Sequence, residues 1–142
     1  MKFFVTSVGG QLGHDVMNEL AKHRYEGVGS DIQPVYSGIA DGSAAITMPY
    51  VQLDITDKEA VEKVITEINP DAVIHCAAWT AVGIAEDDDK VELVRNVNAG
   101  GTRSIADVCK KLGYKMTYIS TDYVFDGQGT EPWHLTVRTT NL

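Results

Sequence analysis

Phe4-Val5-Thr6-Ser7-Val8-Gly9-Gly10-Gln11-Leu12-Gly13 is the stretch whose reading decides the fold. An apolar, β-branched run breaks into a turn of small residues, which opens directly into a helical apolar pattern. Strand, tight turn and helix N-terminus in that order make a phosphate cradle, because the first amides and the dipole of the helix attract anions. Gly10 and Gly13 have the spacing of the last two glycines of a dinucleotide fingerprint. Gly10 lets a pyrophosphate come close, and Gly13 lets the helix pack tightly on the strand. The first position of the fingerprint, three residues before Gly10, holds Ser7 in place of the tight-turn glycine.

Outward from this turn, strands and helices alternate. The first strand is Lys2 to Thr6, and the helix after the turn puts Val16, Met17, Leu20 and Ala21 on one face. A second strand near Gly27 to Ser30 ends at Asp31. An acid about 20 residues beyond the glycines, at the end of the second strand, accepts hydrogen bonds from an adenosine ribose and repels a 2′-phosphate. Asp31 therefore leans the cofactor preference towards NADH over NADPH. Ile32 to Tyr50 is rich in Gly, Ser and Pro and reads as a surface loop with room for one short strand. Val51 to Leu53 is the third strand. Thr56-Asp57-Lys58-Glu59 reads as a capping box opening a helix with Ala60, Val61, Val64, Ile65 and Ile68 on one face, which Asn69-Pro70 stops.

Ala72 to Cys76 is a fourth strand without polar alternation, as expected where helices cover both faces. It leads into Ala77-Ala78-Trp79-Thr80, whose small side chains leave room for a ligand at the strand end. His75 reads as a packing residue before a catalytic one. A helix from near Asp88 to Leu112 follows, with Asn98 and Gly100-Gly101 marking irregularity and Gly113 as its C-cap. Lys115 to Ser120 is the fifth strand, ending in Thr121-Asp122-Tyr123. The pattern is α/β: a Rossmann-type, doubly wound parallel sheet of five strands.

The chain has 142 residues, 44% of them hydrophobic and 23% charged, which suits one domain with a real core. A net charge of −8 without a basic stripe argues against nucleic acid. The acidic run Glu86-Asp87-Asp88-Asp89 reads as the solvated first turn of a helix. Cys76 and Cys109 have no metal-ligand spacing and read as buried thiols of a reducing, cytoplasmic setting. No apolar run approaches membrane-spanning length, so no membrane partner is expected.

Val5 to Gly13 resembles the TGxxGQLG turn of extended short-chain dehydrogenases. Leu53 to Asp57, Pro70 to Val82 and Tyr118 to Gly127 resemble, more narrowly, the dTDP-4-dehydrorhamnose reductase family, and the resemblance covers residues 1–133. It implies a dinucleotide-binding domain over 1–133 followed by an atypical tail, 134–142. It also implies a nicotinamide-dependent reductase of a nucleotide-sugar substrate, dTDP-4-dehydro-L-rhamnose, in dTDP-L-rhamnose biosynthesis. Carried onto this chain, Gly10, Gln11 and Leu12 would line the pyrophosphate, Asp31 would face the adenosine ribose, and Asp54 and Ile55 would flank the adenine. Ala77, Ala78 and Thr80 would contact the ribose and nicotinamide, Asn98 would lie nearby, Thr121 would polarise the substrate carbonyl, and Asp122 and Tyr123 would face the substrate. No metal is implied.

Three positions depart from the family pattern. Ser7 and Gly83 stand where the family has Gly and Asp. If position 7 needs a left-handed backbone, serine there costs about 1 kcal/mol or more. The family's proton donor is a Tyr-x-x-x-Lys pair, and none of Tyr25, Tyr36, Tyr50, Tyr114, Tyr118 and Tyr123 has lysine four residues later. The chain therefore reads as the cofactor half of such a reductase, without its substrate lobe. A homo-oligomer is expected from the apolar sheet face left uncovered. A non-catalytic dinucleotide-binding subunit, or a reductase or epimerase of another nucleotide sugar, stays open at this stage.

Overall fold

The computed structural model describes residues 1–81, 83, 89–121 and 127–128. Five strands, β1 (Lys2–Thr6), β2 (Glu26–Asp31), β3 (Tyr50–Gln52), β4 (Ala72–His75) and β5 (Lys115–Tyr118), form one sheet in the order β3-β2-β1-β4-β5. Every neighbouring pair is parallel. The chain winds from β1 outward to β3, then crosses back to β4 on the other side of β1. That reversal separates the loops that follow β1 and β4 and opens a crevice at the carboxyl ends.

Phe4 and Val5 show why the sheet must be covered twice. Both are fully buried, and adjacent residues of a strand face opposite ways. Phe4 packs with Leu53, Val61, Ile65, Val73, Ile105 and Val108 beneath helices α3 (Lys58–Ile68) and α5 (Thr102–Leu112). Val5 packs with Val8, Met17 and Leu20 beneath helix α1 (Gln11–Lys22). Each such side chain contributes roughly 1.5–3 kcal/mol when fully buried.

Ser7 has φ +58°, so the residue standing in the glycine position does adopt the left-handed backbone. The reason is the approach of α1 to β1. A Cβ on Gly13 would lie 2.2 Å from the Ser7 carbonyl oxygen and 2.8 Å from Val8 Cα, so nothing larger than glycine fits. Helix α1 also sits differently from its expected face. Met17 and Leu20 are buried with Gly13 and His14, while Val16 and Ala21 are only partly covered.

Other boundaries move for physical reasons. The segment after β2, expected as a surface loop with room for one short strand, holds a short helix instead, α2 (Ala44–Thr47). The cap of α3 is Asp57, whose carboxylate accepts the Ala60 amide at 3.0 Å. Thr56 instead donates its hydroxyl to Asp54 at 2.7 Å, and with Ala60 in the third helical position the expected capping box gives way to a one-way cap by Asp57. Asn69 closes α3 in the left-handed region, as Gly113 does for α5. The single long helix expected to end at Leu112 runs without interruption from Val91, as α4 (Val91–Arg95), a π-helical stretch (Asn96–Gly101) and α5, with helical backbone at each junction. Gly101 explains part of this: a Cβ there would lie 2.6 Å from the Ile55 side chain, so the wide turn presses directly on the loop after β3. Residues 86–88 of the acidic run and the tail, 134–142, lie outside the described residues.

Replacing the α3 cap tests this assignment. Asp57→Ala should lower the urea-unfolding free energy by about 1 kcal/mol, whereas Thr56→Ala should change it by less than about 0.5 kcal/mol. The opposite ranking would return the cap to Thr56.

Candidate functional site

Sheet register brings the candidate residues to one edge. Thr6 pairs with Ser30 on one side and with His75 on the other, and His75 pairs with Tyr118. The turn Ser7–Gly10, Asp31 at the end of β2, Asp54 and Ile55 beyond β3, Ala77 and Ala78 beyond β4, and Thr121 beyond β5 therefore all lie at the carboxyl edge. Asp122 and Tyr123, expected on the substrate side, lie outside the described residues.

Around the first turn, Gly10, Gln11 and Leu12 are exposed. Helix α1 starts at Gly10 without a side-chain cap and without an acid in its first turn, so its own residues supply no anion to its positive end. Gly10 itself has φ −83°, and a Cβ there would come no closer than 3.4 Å to any neighbour. Nothing inside the chain demands glycine at that position. Asp31 is bound into the turn: Oδ2 accepts the Gly9 amide at 2.9 Å and Oδ1 the Ile32 amide at 2.8 Å. Its remaining lone pairs are available to outside donors.

The opposite wall follows β4. Thr6 Oγ1 accepts the amides of Cys76 (3.1 Å) and Ala77 (3.2 Å) and lies 2.9 Å from His75 Nδ1. His75 Nε2 lies 3.0 Å from Thr102 Oγ1. The ring is 1% exposed and stacks on Tyr118. Burial pulls its pKa down to about 4, so the ring is neutral at pH 7, in line with a packing residue. Asn98 does not stand free in the crevice. Its Oδ1 accepts the Trp79 amide at 2.7 Å and its Nδ2 donates to the Trp79 carbonyl at 3.2 Å, so it clamps the Ala77–Thr80 loop to the π-helical stretch. Cys76 is half-buried and Cys109 buried, and burial raises both thiols.

One cluster had no clear signal in the sequence. His14, buried on α1, lies 2.6 Å from Tyr36 Oη, 3.0 Å from Asp41 Oδ2 and 3.0 Å from Asn18 Nδ2. Hydrogen bonds from Ser43 first, and then His14, hold the Asp41 carboxyl down at about 2. Together these contacts tie the loop after β2 to α1, where a Cβ on Gly38 would sit 2.9 Å from the Gly9 carbonyl. The only hint was a histidine following Gly13 on the inner side of the helix. Among the described residues, no three His, Cys, Asp or Glu side chains are grouped to hold a metal ion.

Known proteins match this arrangement. Residues 1–141 match the family described as RmlD substrate binding domain. A dTDP-4-dehydrorhamnose reductase of Mycobacterium tuberculosis (strain ATCC 25618 / H37Rv) is 34% identical over 133 residues, 92% of this chain and 36% of that protein. A dTDP-4-keto-6-deoxy-D-glucose reductase of Streptomyces niveus is 38% identical over 106 residues, covering 75% of this chain and 35% of that protein. Among solved structures, a dTDP-4-dehydrorhamnose reductase from Clostridium acetobutylicum superposes with a TM-score of 0.75 at 33% identity, over 97% of this chain and 42% of that one. One from Bacillus anthracis in complex with NADP gives 0.70 at 35% identity, over 89% and 38%. The chain thus spans between a third and half of the length of these relatives.

His75 sets a pH dependence. Its pKa is about 4 in the fold against 6.5 for a free ring, so the unfolded chain binds the extra proton first. The stabilisation is complete above pH 6.5 and drains away as the pH falls towards 4. Between pH 7.5 and pH 5 the His75-dependent loss should be about 2 kcal/mol in urea unfolding, and it should vanish in His75→Asn.

Proposed function

The chain belongs to the family of the RmlD substrate binding domain, and from that premise we propose that it is the dinucleotide-binding part of an NAD(P)H-dependent reductase. The substrate is dTDP-4-dehydro-L-rhamnose, and the reaction forms dTDP-L-rhamnose. The observation that carries the reading is the uncapped turn at Gly10, set beside Asp31 and the Ala77-Ala78 loop across the β1/β4 reversal. Glycine at position 10 answers to no neighbour within the chain, whereas a pyrophosphate seated on α1 would need the space a Cβ fills. The residues present therefore fit a dinucleotide.

Each residue then has a task. The first-turn amides at Gln11 and Leu12 hold the pyrophosphate. Asp31 accepts from the adenosine ribose, and Asp54 and Ile55 border the adenine. Ala77, Ala78 and Thr80 form the wall on the nicotinamide side, with Asn98 holding that wall in place. A bound NADH or NADPH supplies the hydride to the C4 ketone. Thr121 donates a hydrogen bond to the carbonyl oxygen as negative charge develops there. Asp122 and Tyr123 are assigned to the sugar side by resemblance. No tyrosine of this chain has the lysine partner four residues on. The chain alone therefore binds cofactor without reducing the sugar.

Fluorescence titration with NADH and NADPH is the test. Both should bind, NADH more tightly, because the Asp31 carboxylate repels a 2′-phosphate. Asp31→Asn should narrow that preference by about tenfold. Absence of binding by either nucleotide overturns the reading. Turnover of the sugar nucleotide by the purified chain overturns the division between binding and catalysis.

A further inference from the structure

The hydrogen bonds around Thr6 leave one consistent arrangement of protons. A threonine hydroxyl has one proton and two lone pairs. The amides of Cys76 and Ala77 both donate to Thr6 Oγ1, so the lone pairs are taken. The hydroxyl proton must then go to the remaining neighbour, His75 Nδ1, at 2.9 Å. A neutral imidazole that accepts at Nδ1 carries its proton on Nε2, and Nε2 faces Thr102 Oγ1 at 3.0 Å. The chain of donors runs from two loop amides to β1, back to β4 and on to α5.

We propose that His75 is a positioning residue that, as the Nε2–H tautomer, locks the first residues of the Ala77–Thr80 loop through Thr6 and anchors them to Thr102. Its consequence for ligand binding rests on the dinucleotide reading above; the relay itself does not. Thr6 is 1% exposed, so without His75 its proton has no acceptor on that side, and the hydroxyl turns away from one of the two amides. The loop that loses its anchor is the wall assigned to the nicotinamide side. The α5 end of the relay adjoins the π-helical stretch that holds Trp79 through Asn98, so the loop is gripped from both sides.

A packing role and a positioning role rank two variants oppositely. His75→Leu keeps the volume and loses both hydrogen bonds. His75→Asn leaves a gap but offers an amide oxygen where Nδ1 stood, so the Thr6 leg survives. The relay requires that His75→Leu weaken NADH binding by about tenfold, equivalent to about 1.4 kcal/mol, with His75→Asn within about threefold of wild type. Leu binding like wild type while Asn binds poorly overturns it. Should His75→Leu not fold, Thr6→Val must reproduce its loss and Thr6→Ser must restore binding; equal affinities for Val and Ser overturn the proposal. Long-range 15N–1H spectra of the full 142-residue chain at pH 7 give an independent reading. They should show a protonated Nε2 and a bare Nδ1, and the Cys76 and Ala77 amide resonances should move further in His75→Leu than in His75→Asn. A proton on Nδ1 overturns the relay. If the wild-type chain binds neither nucleotide, the proposed function fails, and the tautomer and the two amides still decide the relay.

Discussion

The carbonyl of Ser7 and the α-carbon of Gly13 approach so closely that no side chain fits between them. Most of the structure depends on this contact. It seats the first turn of α1 directly on the end of β1 and fixes the angle at which the helix leaves the sheet. Its amide-bearing end is thereby aimed along the carboxyl edge. To allow it, the chain reverses through a left-handed residue, and serine accepts that conformation without the freedom of glycine. The turn carries strain at its tightest point, and the burial of Val5, Val8, Met17 and Leu20 just behind it offsets that strain.

The second organising feature is the widened helical stretch Asn96–Gly101 with the residue after it. Gly101 presses on Ile55 from beyond β3, Asn98 grips the backbone of Trp79 from beyond β4, and Thr102 meets His75 at the end of β4. Two strand-end loops thus take their shape from one short segment. A regular α-helix presents its side chains at a fixed pitch. The i→i+5 bonding of a π-helix widens the turn and changes that spacing, which suits a segment that must meet several loops. The loop after β2 is held by a separate device, the His14, Tyr36 and Asp41 contacts on α1. The candidate crevice is lined by loops that are each tied to a packed element.

Much of the fold was legible in the chain itself, and for a clear reason. Strands buried on both faces leave unbroken apolar runs, as Ala72 to Ile74 show, and helices over them leave a period that Val61 and Ile65 mark plainly. Boundaries were less secure where two adjacent residues could serve the same purpose. Thr56 and Asp57 are both good caps, and only the backbone geometry chose the second. The irregularity between Arg95 and Thr102 was signalled by Asn98 and Gly100-Gly101, but not its π-helical form, which depends on what the helix meets.

Sequence by itself determined the parallel doubly wound architecture, the glycine turn, the position of Asp31 at a strand end and the family to which the chain belongs. These are local or periodic signals, carried by residues near one another in the chain. Tertiary structure alone decided that Ser7 is left-handed, that Asn98 serves the Trp79 backbone, and that His14 and His75 are buried and hydrogen-bonded. Those facts rest on contacts between residues far apart in sequence, such as Thr6 with His75, which only the pairing of β1 with β4 brings together.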